Sequence, residues 1–314
     1  MSYAKNDPCG GPQYRGTIAA LKREGFSEAK ITSYFLNSRT IDRKRLQKRI
    51  DDARRLRMDV RPDVTIAIDD LAFQVLAPDY VDDSGKGYLV FSGLNITPEE
   101  YNKRFLFHVD RVPVKRITGV YEKLFIQKQL KFFSLLMGKK QGKVVLLYSD
   151  DPVGHIVKNQ IVREIKGSAY EHMVDPVKVS TIDDLMAAAR ALQDDPKVSA
   201  YFPIVLSVKG RGPGKTLTMR EIAPLLASMI KKPDLTINSS FVDLGLWGGV
   251  SIDFYHMGYE AGELAALLLK GYEIRKIKIK DAEKAMVVIN LNRNRELDIK
   301  LPPVIMGMVD RFVQ

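Results

Sequence analysis

Short apolar runs alternate with amphipathic stretches along almost the whole chain. The runs in "DVTIAI", "GYLVFSGLN", "KVVLLYSDD", "AYFPIVLSVKG" and "DLTINSSFVDLGLWGG" are nearly continuous, as in strands covered on both faces. Between them lie "KLFIQKQLKFFSLLMG", "TIDDLMAAARALQDD" and "REIAPLLASMIKK", whose apolar positions recur at helical spacing. This alternation predicts βαβ units and parallel sheets with helices on both faces.

The two ends of the chain extend the pattern. "QYRGTIAALKREGF" predicts a helix with apolar residues at Ile18, Leu21 and the Ala19-Ala20 pair and a stop at Gly25, and "KITSYFL" a β-rich run. The basic stretch from Arg39 to Arg61 predicts a helix ended by Pro62, with Leu46, Ile50 and Ala53 turned to a core and the charges in solvent. "FYHMGYEAGELAALLLKG" predicts a helix burying Ala261, Leu264, Ala265 and Leu268 and stopping at Gly271. "AMVVINLN" is a late strand, and "LPPVIMGMVDRFV" a terminal helix opened by proline.

The 314 residues, 45% hydrophobic and 28% charged, are globular in composition and enough for two domains of about 150 residues. No run approaches the roughly 20 apolar residues of a membrane span. The start, "MSYAKNDPCGGPQ", has neither the basic residues nor the apolar stretch of a signal peptide. The single cysteine, Cys9, excludes an internal disulfide framework, and Asp7 and Pro8 before it do not suit a lipid anchor. A net charge of +11 favours acidic surfaces. Yet the α/β pattern begins almost at residue 1 and leaves no room for an N-terminal helix-turn-helix, so no nucleic-acid partner is expected.

Ligands of parallel sheets bind outside the carboxyl ends of the strands. Here those ends carry "DD", "SGLN", "YSDD", "SVKGRGPGKT" and "LWGG". The glycine-rich "VKGRGPGKT" is out of register for a phosphate loop: Lys209 stands where the first glycine belongs, and Pro213 removes a backbone donor. A surface loop is the plainer reading. His108, His155, His172 and His256 are scattered, and no G-x-S-x-G elbow surrounds a serine, so neither catalysis nor a metal or cofactor is expected.

Three segments together resemble a known family. They are "PDVTIAIDDLA" with "VFSGLN"; "RITGVYEKLFIQKQLKFFSLLMGKKQGKVVLLYSDD"; and "GLWGGVSIDFYHMGYEAGELAALLLKG" with "VVINLNRNRELDIKLPPVIM". In order and spacing they are similar to the ABC-transporter substrate-binding proteins of the aromatic amino-acid and sugar-like group, with the type I periplasmic-binding-protein fold. The resemblance implies two doubly wound α/β lobes of parallel sheet joined by hinge crossover strands. The lobes would comprise residues 1–112 plus 250–282 and residues 113–249 plus 283–314. Two departures stand out: the family's opening strand is cut down to the pair Ser2 and Tyr3, and the 209–216 loop is long.

The implied function is non-catalytic: a small polar organic molecule, an amino acid or sugar-like compound, is enclosed between the lobes by hinge closure. The implied partner is a membrane permease of an ABC transporter or, alternatively, a signalling module. The implied location is extracytoplasmic, and the implied state a monomer. Site residues would be Tyr3, Asp69, Asp70, Ser92 and Asn95 from the first lobe, Tyr121, Ser149, Asp150 and Trp247 from the second, and Asp253 near the hinge. Carboxylates suit an ammonium or hydroxyls, Ser and Asn donate or accept, and Tyr or Trp give a flat wall. Plainer readings stand beside these: Asp69 and Asp150 as helix N-caps, Ser92 and Asn95 as turn formers, Trp247 as core.

Overall fold

The computed structural model describes residues 1–314 apart from 39, 83–84, 139–141 and 206. Arg39 at the head of the basic stretch, residues 139–141 within the second resembling segment, and Leu206 in "AYFPIVLSVKG" lie outside the described residues.

In chain order the first elements are α1 (Gly10–Arg23), α2 (Arg43–Val60), β1 (Val64–Ile68), α3 (Asp70–Leu76), α4 (Pro78–Val81), β2 (Tyr88–Leu94) and α5 (Pro98–Phe105). A hairpin, β3 (His108–Val109) and β4 (Val112–Pro113), leads to β5 (Ile117–Tyr121). Then come α6 (Ile126–Met137), β6 (Lys143–Ser149), α7 (Pro152–Ile165), β7 (Val174–Val179), α8 (Ile182–Asp194) and β8 (Val198–Ile204). The chain continues through β9 (Ser207–Lys209), β10 (Thr216–Thr218), α9 (Met219–Met229), α10 (Ser239–Val242), β11 (Gly248–Ile252) and α11 (Phe254–Leu269). It closes with β12 (Lys280–Asp281), β13 (Ala285–Asn290), α12 (Leu291–Glu296), α13 (Pro303–Met306) and β14 (Arg311–Val313).

The chain divides into two compact units, Met1–Lys123 with Asp253–Lys284 and Leu124–Ile252 with Ala285–Gln314. It passes between them after Lys123, Ile252 and Lys284. The first passage lies later than the expected 112/113 because β5 pairs in parallel with β2, with Leu89 opposite Ile117, and so belongs to the first unit's sheet.

The first unit is built on a four-stranded sheet of order β1-β2-β5-β12, every pair parallel. Phe73 of α3 meets Phe91 of β2 at 5.4 Å and Tyr101 of α5 at 4.8 Å, both edge to face, the geometry that ring quadrupoles favour. On α1 and α11 glycine permits close approach. A Cβ at Gly16 would stand 2.0 Å from the Tyr255 carbonyl oxygen, and one at Gly258 2.0 Å from that of Gln13. Thr17 uses the proximity to donate to the Gly258 carbonyl at 2.9 Å.

The second unit holds a parallel sheet of order β7-β6-β8 and a mixed sheet of order β11-β13-β14. Its core lies between α8, α9 and the first of these, with Leu185, Ala189, Ile222 and Leu226 fully buried against Leu147 and Tyr201. At one corner a buried ion pair joins Arg293 to Asp234.

Four expectations are corrected. "KITSYFL" is not a strand: Leu36 donates to the Met1 carbonyl and the Tyr34 carbonyl accepts from the Met1 ammonium, with Ser38 just beyond it donating to the Ser2 carbonyl. "DLTINSSFVDLGLWGG" is no continuous strand but isolated bridges, the short α10 and the start of β11. The proline-opened terminal helix stops after one turn at Met306, and the tail Arg311–Val313 pairs with β13 as β14. Finally, α2 buries none of its residues; Leu46, Ile50 and Ala53 are only half-covered.

Candidate functional site

In the first unit the strand ends gather most of the expected side chains. Ser2 accepts from the Ala72 N–H at 2.9 Å and donates to the Ile68 carbonyl at 3.2 Å, fixing the corner between β1 and α3; Tyr3, next in the chain, is half-buried. Asp69 follows β1 with φ 77°, where a side chain is strained and glycine is usual. Its N–H donates to the Ser92 carbonyl at 2.9 Å, while its carboxylate makes no cap hydrogen bond to α3. The N-cap reading of Asp69 is therefore not what the chain does. Ser92, fully buried, donates to the Gln13 side-chain oxygen at 2.7 Å.

Asp70 has a different role. Its oxygens accept from the Asn95 N–H and side-chain amide, both at 3.0 Å, from the Ile96 N–H at 3.2 Å and from the Tyr101 hydroxyl at 2.8 Å. Burial and the Asp70 charge push the Tyr101 phenol far above its ordinary range, so it remains a donor. Asp70 and Asn95 thus brace the turn after β2. Tyr121, expected from the second lobe, stands buried at the end of β5 opposite Leu94, on the same sheet edge as Ser92. That placement corrects its lobe.

Gln13 was missed by the sequence reading. It reaches Ser92 because Gly93, at φ 71°, has no side chain: a Cβ there would stand 2.6 Å from the Gln13 oxygen. A glycine inside a strand end is the signal that marked a close approach.

In the second unit Ser149 ends β6 fully buried, and its hydroxyl has no hydrogen-bond partner among the described residues. Asp150 is exposed and held by His155 at 2.8 Å, Lys178 at 3.2 Å and Ser180 at 3.1 Å. These partners, His155 foremost, lower its pKa to about 2. The cap of α7 is its neighbour Asp151, which accepts from the Gly154 N–H at 2.9 Å and from Ser207 at 3.3 Å. Trp247 is core: fully buried beside Phe132, its indole N–H donates to Asn294 at 2.9 Å.

Asp253 opens the second stretch of the first unit by capping α11 at the His256 N–H, 2.9 Å away. Two turns on, buried Glu260 accepts from the Glu283 N–H at 3.1 Å and pairs with Lys280 at 3.2 Å. Burial raises its carboxyl pKa against those partners. Residues 209–216 form the tip of the β9–β10 hairpin, closed by the Gly210 N–H on the Lys215 carbonyl. It is not a phosphate cradle. Among the described residues no group of three or more His, Cys, Asp or Glu could hold a metal.

The model of the family described as ABC transporter substrate binding protein matches residues 7–311. The chain belongs to that family. No curated protein matches it. Among solved structures, a Streptococcus pneumoniae ABC domain in complex with L-Trp is 21% identical, with TM-score 0.66, 98% of this chain and 96% of that one being covered. A ligand-free, open substrate-binding protein with adhesive properties from Clostridium difficile is 14% identical at TM-score 0.70, with 98% and 96% covered. A periplasmic ribose ABC transporter protein from Conexibacter woesei is 14% identical at TM-score 0.52, with 95% and 93% covered.

At these identities the structural likeness carries the fold, that of the type I periplasmic binding proteins. As a substrate-binding protein the chain takes a small-molecule ligand and an ABC permease as partners, and it is not an enzyme. Such proteins are typically extracytoplasmic. Among the described residues no helix is long and apolar enough to cross a membrane.

Proposed function

We propose that this substrate-binding protein captures a small polar solute of the amino-acid class and hands it to an ABC importer. The observation that carries the reading is Asp69: a carboxylate only 8% exposed, held on strained backbone at the tip of a parallel strand, beside buried Ser92. Strain of this kind persists where the surroundings over-determine it, and functional sites are where it collects. The carboxylate suits the ammonium of the solute, and half-buried Tyr3 is offered as a flat wall, whereas Tyr121 belongs to the first unit's apolar core with Phe91 and Leu94. Closure of the two lobes, as the resemblance implies, is the proposed means of retention, with Asp253 at the second passage. Trp247 and Asp70 fall outside the proposed contacts, since the core and the β2 turn occupy them.

The neighbour bound to L-Trp supports this class over the sugar class, whose neighbour is the more distant in fold. A thermal-shift screen over L-amino acids, sugars and nucleosides tests it. A ligand at 100 times its Kd adds about 2.7 kcal/mol, on the order of 5 °C for a unit of this size. An L-amino acid is expected to give that shift and Asp69→Asn to abolish it, the variant's own melting being measured alongside. A shift with sugars alone, or one that survives in a folded Asp69→Asn protein, overturns the reading.

A further inference from the structure

α2 carries eight Arg and Lys against three Asp, a net +5. The whole first unit, with 28 basic and 23 acidic residues, nets the same +5. All of that unit's excess charge is therefore concentrated on one helix that buries no residue. Its inner side is tied down by Arg49 to the Phe35 carbonyl at 2.8 Å, Arg54 to that of Val75 at 3.3 Å, and Arg57 to Asp79 at 3.5 Å. The outer side is different. Arg43, Lys44, Lys48 and Arg55 are exposed and, among the described residues, have no anionic or hydrogen-bonding partner.

At helical spacing Lys44, Lys48 and Arg55 lie within roughly 40° of one another around the axis, over about 16 Å. Asp51 shares the stripe but accepts from Gln47 at 3.0 Å, and Met58, 55% exposed, continues it. Uncompensated cations spread along one exposed line fit an extended anionic plane better than a pocket-sized ligand. The family's partner is a permease, so the plane next to which this protein works is a membrane.

We propose that the outer face of α2 is an electrostatic docking surface for anionic phospholipid, orienting the first unit against the bilayer without insertion. This goes beyond the solute-binding reading and does not depend on which solute is bound. The test is co-sedimentation of the full chain with phosphatidylglycerol and with phosphatidylcholine vesicles, at low salt and at about 0.3 M salt. Binding to the anionic vesicles alone, lost at high salt, is expected. Each charge removed should weaken it about fivefold, so Lys44→Gln/Lys48→Gln/Arg55→Gln should lose on the order of a hundredfold. A control of equal charge change, Lys209→Gln/Arg211→Gln/Lys215→Gln on the exposed hairpin, should bind nearly as the parent does. Both variants alter exposed residues, and unchanged melting confirms their folding. Three results overturn the proposal: no binding to anionic vesicles at low salt, equal losses in the two variants, or binding of the full chain to duplex DNA that is tighter than to vesicles and is lost in the α2 variant.

Discussion

Replacing Arg293 by methionine should expose what the buried corner of the second unit contributes. The Arg293 side chain is 1% exposed and that of Asp234 fully buried. The guanidinium donates to Asp234 Oδ2 through Nε at 3.0 Å and Nη2 at 2.9 Å, to the Ala227 carbonyl at 2.8 Å and to that of Ile230 at 2.6 Å. Asp234 also accepts from the Tyr201 hydroxyl at 3.3 Å and from the Trp247 N–H. Burial pushes the Asp234 carboxyl up, and the Arg293 charge is the main force holding it ionised. Methionine fills much of the volume but strands a carboxylate and two carbonyls. Removing one partner of such a pair costs about 3–5 kcal/mol, or roughly 10 °C in melting for a unit of this size.

Trp247 is the only tryptophan and its backbone N–H touches Asp234, so its fluorescence follows this unit in urea titrations. The denaturant slope should be unchanged and the midpoint lowered. Adding Asp234→Leu to Arg293→Met removes the stranded charge and should restore about half of the loss or more. If the single variant costs under about 1 kcal/mol, or the double variant is no more stable than the single one, the charge-pairing argument is wrong.

Two further predictions test the strand ends. The carboxyl of Asp150 is lowered from 3.8 to about 2, so the stability it lends is complete above pH 3.8 and disappears as pH falls through 2. Asp150→Asn should therefore melt below the parent at pH 6 and converge with it near pH 2; a constant gap by calorimetry refutes this. Gly93→Ala meets Gln13 at 2.6 Å on top of a positive φ, whereas Gly25→Ala, also at positive φ, meets nothing within 4 Å. The backbone term is about 1–2 kcal/mol in each, so Gly93→Ala should be the more destabilising in urea, and equal costs would deny the Gln13 contact.

What the sequence made legible was local. The apolar runs of β1, β2, β6 and β8 were visible because a strand covered on both faces needs nothing polar along its length. Partner choice was not visible: nothing in "RITGVY" says that β5 lies beside β2, and Tyr121 changed lobes on that point alone. The site failed to resolve for the same reason. Asp69, Asp70, Asp150 and Asp151 are alike as letters, yet one is braced by a turn 25 residues on, one is paired to Lys178 on the next strand, and one caps its own helix. The Asp70 donors and the Lys178 and Ser180 contacts of Asp150 are brought in by the sheet, beyond any sequence window, whereas the Asp151 cap is local and only its choice over Asp150 was hidden. Asp69 is set apart by a feature local to its own backbone, the positive φ, and the uncapped start of α3 leaves its carboxylate at the tip of the strand. A carboxylate placed at the end of a strand at the cost of backbone strain, and already acting on the Met1 ammonium, is in the proposed reading the residue on which a solute's positive charge would be read.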